Sequence, residues 1–214
     1  MDWDAKEHYK EHQVAAGYDA ARFSSIPGRV FNGWEKRVIA KCFASVPKGK
    51  VLVDMPCGTG RLAEPLLDIG YRVHGMDISA EMLGVAQQRL ARFGDRFTHE
   101  VADAQQVQAT AVRYDGALCA RVLMHFPLQE QISFLAGVAR LSGGVVVINH
   151  SFDSPYQRFR RRIKRMLGHR PSARWPVNNG EIRQLLQGAG LREVERFRLF
   201  PLISEAIYIV AEKL

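Results

Sequence analysis

The sequence predicts an α/β fold: a doubly wound, mostly parallel seven-stranded sheet with an antiparallel C-terminal strand, an N-terminal helical lid and a basic helical insertion after strand 5. Three observations carry that expectation. Short apolar runs alternate with helical patterns from Val51 to Asn149, which is the signature of parallel strands joined by crossover helices. Gly144–Asn149 is apolar at nearly every position, as a central strand covered on both faces must be. Two final strand-like runs are separated only by Pro201-Leu202-Ile203, too short a link for a parallel crossover, so they pair antiparallel.

Each element follows from local pattern. Phe31, Trp34, Val38, Ile39, Cys42 and Phe43 recur at helical spacing, after a turn at Ser24-Ser25-Ile26-Pro27-Gly28 and before a stop at Pro47-Lys48-Gly49. Val51–Asp54 reads as strand 1, residues 61–69 as a helix capped by Gly70, and 71–76 as strand 2 ending in Asp77. Ser79 is an N-cap for a helix over 80–93, with Glu81 in its first turn. Strand 3 spans 96–101, strand 4 spans 114–120, a helix spans 128–141, and strand 5 follows at 144–149. A helix over 179–187 ends at Gly188-Ala189-Gly190, before strands at 191–200 and 204–211. No repeat or low-complexity linker divides the chain. The expectation is one domain over 1–214, with a helical lid over 1–48 and a basic amphipathic insertion over 152–178.

The net charge is +8 from 30 basic and 22 acidic residues. Eight of the basic residues, Arg158, Arg160, Arg161, Arg162, Lys164, Arg165, Arg170 and Arg174, lie in a window without a single Asp or Glu. Outside it the charges balance, so the excess belongs to one local surface rather than to the whole protein. The three cysteines, Cys42, Cys57 and Cys119, are widely spaced and odd in number, which suits buried free thiols. No apolar run reaches transmembrane length and the N-terminus lacks a signal-peptide layout. The expected location is cytoplasmic, with peripheral contact at the inner face of the membrane as a further expectation.

In doubly wound sheets ligands bind at the carboxyl ends of the strands. Three acids fall there: Asp54, Asp77 and Asp103. Val51-Leu52-Val53-Asp54-Met55-Pro56-Cys57-Gly58-Thr59-Gly60 is a strand, an acid and a Gly-x-Gly turn, which admits a polar ligand close to the backbone. An acid at that turn repels phosphate and tolerates hydroxyls, an ammonium or a sulfonium. Asp77 stands 19 residues beyond Gly58, the usual distance for an acid that accepts from a ribose diol.

With VLVDMPCGTGRL (51–62), GMDIS with Met82 (75–82), ADAQ (102–105) and YDGALCARVLMHF (114–126), the chain resembles the class I S-adenosylmethionine-dependent methyltransferases of small-molecule type, a Rossmann-like family. The resemblance covers roughly 51–149. Pro56 departs from it, standing where the family often has the first glycine of its motif. The resemblance implies that Asp54, Pro56, Gly58 and Gly60 hold the methionine moiety of S-adenosylmethionine. Asp77 would take the ribose, Ile78 and Met82 would flank the adenine, Asp103 and Ala104 would meet its edge, and Arg121 would line the sulfonium region. Tyr18 and Arg22 resemble an element that closes over the cofactor. Gly58–Ala63 also fits the dinucleotide fingerprint, so a nicotinamide-dependent oxidoreductase is the rival enzyme, and a non-catalytic cofactor-binding regulator is the rival outside enzymes.

Methyl transfer from a sulfonium is an in-line displacement with a neutral leaving group, so alignment dominates and no metal is expected. A base is needed only where the acceptor sheds a proton. His125, just past strand 4, and His150, at the end of strand 5, are the candidates, each with a packing or surface role as its alternative. In the basic window, Tyr156, Phe159, Ile163, Met166 and Leu167 recur at helical spacing among the arginines. This fits docking of Arg158–Arg174 on an anionic membrane or glycolipid, a phosphate-rich acceptor such as RNA, or a lid with its apolar stripe packed inward and its arginines solvated. The acceptor expected from these features is a small molecule or an amphipathic, anionic, lipid-linked envelope precursor, methylated on oxygen.

Overall fold

The computed structural model describes residues 26–107, 113–166, 168, 175–200 and 204–214. The expectations for Tyr18, Arg22, Leu167, Arg170, Arg174 and the Pro201-Leu202-Ile203 link lie outside the described residues, as do residues 1–25 of the N-terminal lid.

The elements run α1 (Ile26–Cys42), β1 (Val51–Asp54), α2 (Ala63–Ile69), β2 (Arg72–Asp77), α3 (Ala80–Leu90), β3 (Phe97–Val101), β4 (Tyr114–Cys119), α4 (Leu128–Leu141), β5 (Ser142–Ser151), α5 (Pro155–Met166), α6 (Asn179–Gly188), β6 (Leu191–Arg198) and β7 (Ala206–Lys213). The sheet order is β3-β2-β1-β4-β5-β7-β6. Strands β1 to β5 are parallel neighbours, and β7 inserts antiparallel between β5 and β6. The seven-stranded, doubly wound sheet with its antiparallel closing strand is thus present.

Some boundaries moved. The described part of α1 runs from Ile26 through the expected Pro27-Gly28 turn. The helix after strand 1 begins at Ala63 rather than Arg61, and β5 begins at Ser142, with the Ser142 hydroxyl accepting from the Gly144 N–H (3.1 Å).

The sheet's two faces carry separate cores. On β1 and β5, Val53, Val146 and Ile148 join one cluster, with Phe134, Leu135 and Val138 of α4. Leu52, Val145 and Val147 join the other, with Ile39 and Phe43 of the α1 region and Leu66 and Leu67 of α2. Adjacent residues of one strand therefore bury on opposite faces, which explains the unbroken apolar run of β5.

The basic helix departs from the packed-lid expectation. Tyr156, Phe159, Ile163 and Met166 of α5 are exposed, Phe159 to 64% and Met166 to 80%. The side facing the domain is polar. Gln157 is buried and its Nε2 donates to the Ser204 carbonyl (3.1 Å). Arg161 pairs with Asp153 and with Glu205 (3.0 Å), and Arg160 lies 3.6 Å from Glu205. Two carboxylates outside the helix capture its arginines and turn its apolar stripe outward.

Candidate active site

A pocket of about 1060 Å³, counting the open space at its mouth, lies at the carboxyl ends of β1, β2 and β4. Its base is the turn after β1. The Cys57 N–H donates to the Met76 carbonyl (2.8 Å), tying the turn to β2. Gly58 has φ +54°, in the left-handed region that favours glycine, and its N–H donates to Asp77 Oδ2 (2.7 Å). Asp77 Oδ1 accepts from the Ser79 N–H (3.0 Å), and the Ser79 hydroxyl accepts from the Met82 N–H (3.2 Å) as the α3 cap. One carboxylate and one cap thus bring Gly58, Asp77, Ile78 and Met82 to a common wall.

Asp54 is almost wholly buried, and its Oδ2 has no hydrogen-bond partner among the described residues. Burial and the neighbouring Asp77 raise its carboxyl to about 8, against opposing effects from the Cys57 thiol and Arg61. Burial also raises Asp77, opposed by the N–H groups of Ser79, Gly58 and Ile78. Asp103 closes the far side, where its Oδ1 accepts from the Gln105 N–H (3.0 Å).

The pocket therefore gathers Asp54, Pro56, Gly58, Asp77, Ile78, Met82, Asp103, Ala104, Arg121 and His125 from the sequence-derived set. Two members stand elsewhere. Gly60 (φ +72°) lies outside the lining, and a Cβ there would come within 2.7 Å of Leu90 Cδ1, so it serves the packing of the turn on α3. His150 is also outside the lining and buried, with its Nε2 3.0 Å from Gln131 Oε1 and its Nδ1 accepting from the Ser151 N–H (2.9 Å). Burial pushes it down to about 4, so it sits neutral in the core near neutral pH and does not reach the pocket. His125 is at the pocket wall, held by a single helical turn in which its N–H donates to the Val122 carbonyl (3.0 Å).

Sequence reasoning named Arg121 on the cationic side of the pocket and missed Arg61 and the acid that holds both. Arg61 joins Arg121 in the lining, and both pair with Glu35, Arg61 at 2.7 Å and Arg121 at 3.1 Å. The Tyr208 hydroxyl donates to Glu35 Oε1 (2.7 Å). Burial alone would raise the fully buried Glu35 carboxyl, but Arg121, Arg61 and Tyr208 outweigh it and hold the group below its ordinary range. A signal for Glu35 was present: it is the one acid of α1 and stands beside Val38, Ile39 and Cys42 on its buried stripe.

Residues 52–142 match the family model described as a methyltransferase domain. The matched stretch contains every described residue that lines the pocket. It is 32% identical over 104 residues to a magnesium-protoporphyrin O-methyltransferase of Synechocystis, covering 47% of this chain and 44% of that protein. It is 31% identical over 110 residues to a ubiquinone biosynthesis O-methyltransferase of Azoarcus, covering 50% and 47%. These alignments span less than half the length of either relative. The crystal structure of the Synechocystis magnesium protoporphyrin IX methyltransferase with bound S-adenosylhomocysteine superposes with a TM-score of 0.75 at 20% identity, covering 98% of this chain and 100% of that one, which shows a shared fold.

Proposed function

We propose that the protein transfers a methyl group from S-adenosylmethionine to oxygen of a small, amphipathic acceptor. The observation that carries this reading is the convergence of Asp54, Asp77 and Asp103 on one pocket, with Asp54 Oδ2 buried and unpartnered. A buried carboxyl oxygen without a partner is costly, and a cationic ligand relieves that cost by drawing the carboxylate back into its charged form. A dinucleotide would place phosphate against the same group, which disfavours the oxidoreductase rival. Asp54 would receive the ammonium, Asp77 the ribose hydroxyls and Asp103 the adenine edge, with Met82 and Ile78 against the base.

S-adenosylmethionine would supply an activated methyl and a neutral leaving group. The chain's own contribution is alignment and exclusion of water: Val122, Phe126 and Phe134 form the apolar part of the wall around His125. His125 would accept the proton of the acceptor hydroxyl. Both curated relatives named above are O-methyltransferases, which supports oxygen as the methylated atom.

Calorimetric titration with S-adenosylhomocysteine and with NAD tests the cofactor: saturable binding of the first is expected, and binding of NAD alone overturns the reading. Labelled S-adenosylmethionine incubated with fractionated extract tests the acceptor, with label expected in an organic-soluble fraction. Tight cofactor binding without label transfer to any fraction favours the regulator.

A second reading concerns place of action. The outward Tyr156, Phe159, Ile163 and Met166 stripe of α5, beside the basic residues of its segment, fits peripheral docking on an anionic membrane. No helix among the described residues is long and apolar enough to cross a membrane. Sedimentation with phosphatidylglycerol vesicles is expected, weakened by salt. Failure to sediment with them ends this reading.

A further inference from the structure

The buried cluster behind the pocket joins four separate parts of the chain. Glu35 comes from α1, Arg61 from the turn before α2, Arg121 from the residues after β4 and Tyr208 from β7. Asn32, one turn before Glu35, also accepts from Arg61 Nη1 (2.6 Å). Arg121 has φ +65°, a backbone conformation that L residues with side chains adopt rarely and that clusters at functional sites.

The order of strands fixes which end of the pocket these groups serve. Asp103 follows β3, Asp77 ends β2, Asp54 ends β1 and Arg121 follows β4, and β3, β2, β1 and β4 are successive neighbours in the sheet. A nucleoside at Asp77 and Asp103 leaves the amino-acid end of the ligand over β1 and β4. There Asp54 stands with Arg61 and Arg121, one acid and two guanidinium groups facing the same space. That arrangement matches a zwitterion, with its ammonium toward the acid and its carboxylate toward the arginines.

We propose that Glu35 and Tyr208 are positioning residues that hold the Arg61 and Arg121 guanidinium groups to receive the ligand's carboxylate, so that packing of α1 and filling of the pocket's amino-acid end are coupled. The inference rests on the S-adenosylmethionine reading. Glu35 touches no ligand itself. Its two oxygens are divided, Oε2 to Arg61 and Oε1 to Arg121 and Tyr208, so a neutral amide there cannot hold both guanidinium groups.

Two ligands separate positioning from plain structural support: S-adenosylhomocysteine, which carries the amino-acid end, and 5′-methylthioadenosine, which lacks it. Glu35→Gln is expected to weaken S-adenosylhomocysteine about tenfold or more by calorimetry while leaving 5′-methylthioadenosine within about twofold. Tyr208→Phe removes a single hydroxyl and carries the test if Glu35→Gln does not fold; the expected loss is about two- to fivefold, again confined to S-adenosylhomocysteine. Equal losses for both ligands, or none for either, overturn the proposal. A wild-type protein that binds neither nucleoside removes the cofactor reading and this inference with it.

Discussion

The pocket and the basic helix α5 break the same rule in opposite directions. The pocket buries charge: Asp54, Asp77, Arg61 and Glu35 are all under a tenth exposed. α5 exposes apolar surface while drawing Gln157 and Arg161 inward. Neither arrangement serves stability, because buried carboxyls lose solvation and exposed aromatics lose burial. A chain that orders its core as regularly as β5 does, yet reverses the pattern in two places, marks those places as the ones where something else binds. The reversals differ in kind. The pocket's is held by many internal hydrogen bonds and calls for a small polar ligand. That of α5 is held by a few arginine–carboxylate contacts and calls for an extended apolar surface.

The comparison is broken most severely at His125. If the pocket is catalytic, His125→Ala lowers kcat by roughly 10²–10⁴-fold, the usual worth of a general base, with S-adenosylhomocysteine affinity within about twofold. Steady-state rates and calorimetry check both halves. His150→Ala serves as its counterpart outside the pocket. It leaves Gln131 without its partner in the core and costs about 1–3 kcal/mol in denaturant unfolding, with the cofactor affinity of the folded protein unchanged. Because His150 is depressed to about 4 from its ordinary value, its contribution to wild-type stability is present above about pH 6.5 and lost as pH falls towards 4. The variant should flatten that acid limb. A kcat loss at His150 equal to that at His125 would place the chemistry outside the pocket described.

Asp54 gives the next effect, and it has two signs. Its folded carboxyl is raised to about 8, so the native state holds a proton that the unfolded chain releases. Its contribution to stability is therefore greatest below about pH 4 and is lost as pH climbs towards 8. Asp54→Asn removes this slope, so the ligand-free variant melts above wild type at pH 8, by about 2–4 °C for each kcal/mol regained. The same substitution weakens S-adenosylhomocysteine by about 1–3 kcal/mol, since an amide cannot supply the charge that an ammonium needs. Thermal melts across pH, with and without ligand, read both. An Asp54→Asn protein less stable than wild type at pH 8 would mean that the buried acid is structural.

What was legible in the sequence follows the range of the interactions. Asp77 and Ser79 were readable because a strand end and a helix cap are local signals. The antiparallel pairing of β6 with β7 was readable because the short stretch between the two runs forbids a crossover. The Glu35–Tyr208 contact joins residues 173 apart, and nothing local to an apolar strand announces that its tyrosine serves a buried acid. His150 was misplaced because a strand end shows which end of the sheet a residue occupies and not which neighbour its ring meets; Gln131 of α4 decides that. The periodicity of α5 revealed two faces, but their direction was set from outside by Asp153 and Glu205.

The smallest expected effect tests the outward face. Surface substitutions away from packed features change stability by about 0.5 kcal/mol or less. Phe159 is well exposed on the stripe opposite the carboxylate-bound arginines, so Phe159→Ser should leave the unfolding midpoint within that range. If the stripe docks on a bilayer, the same change removes about 1.5–3 kcal/mol of apolar burial there and weakens sedimentation with phosphatidylglycerol vesicles by about tenfold or more. A stability loss well above 1 kcal/mol would instead mean that Phe159 is covered in the free protein. The substitution thus separates an apolar face held ready for a membrane from one already packed by the chain itself, using two measurements on one variant.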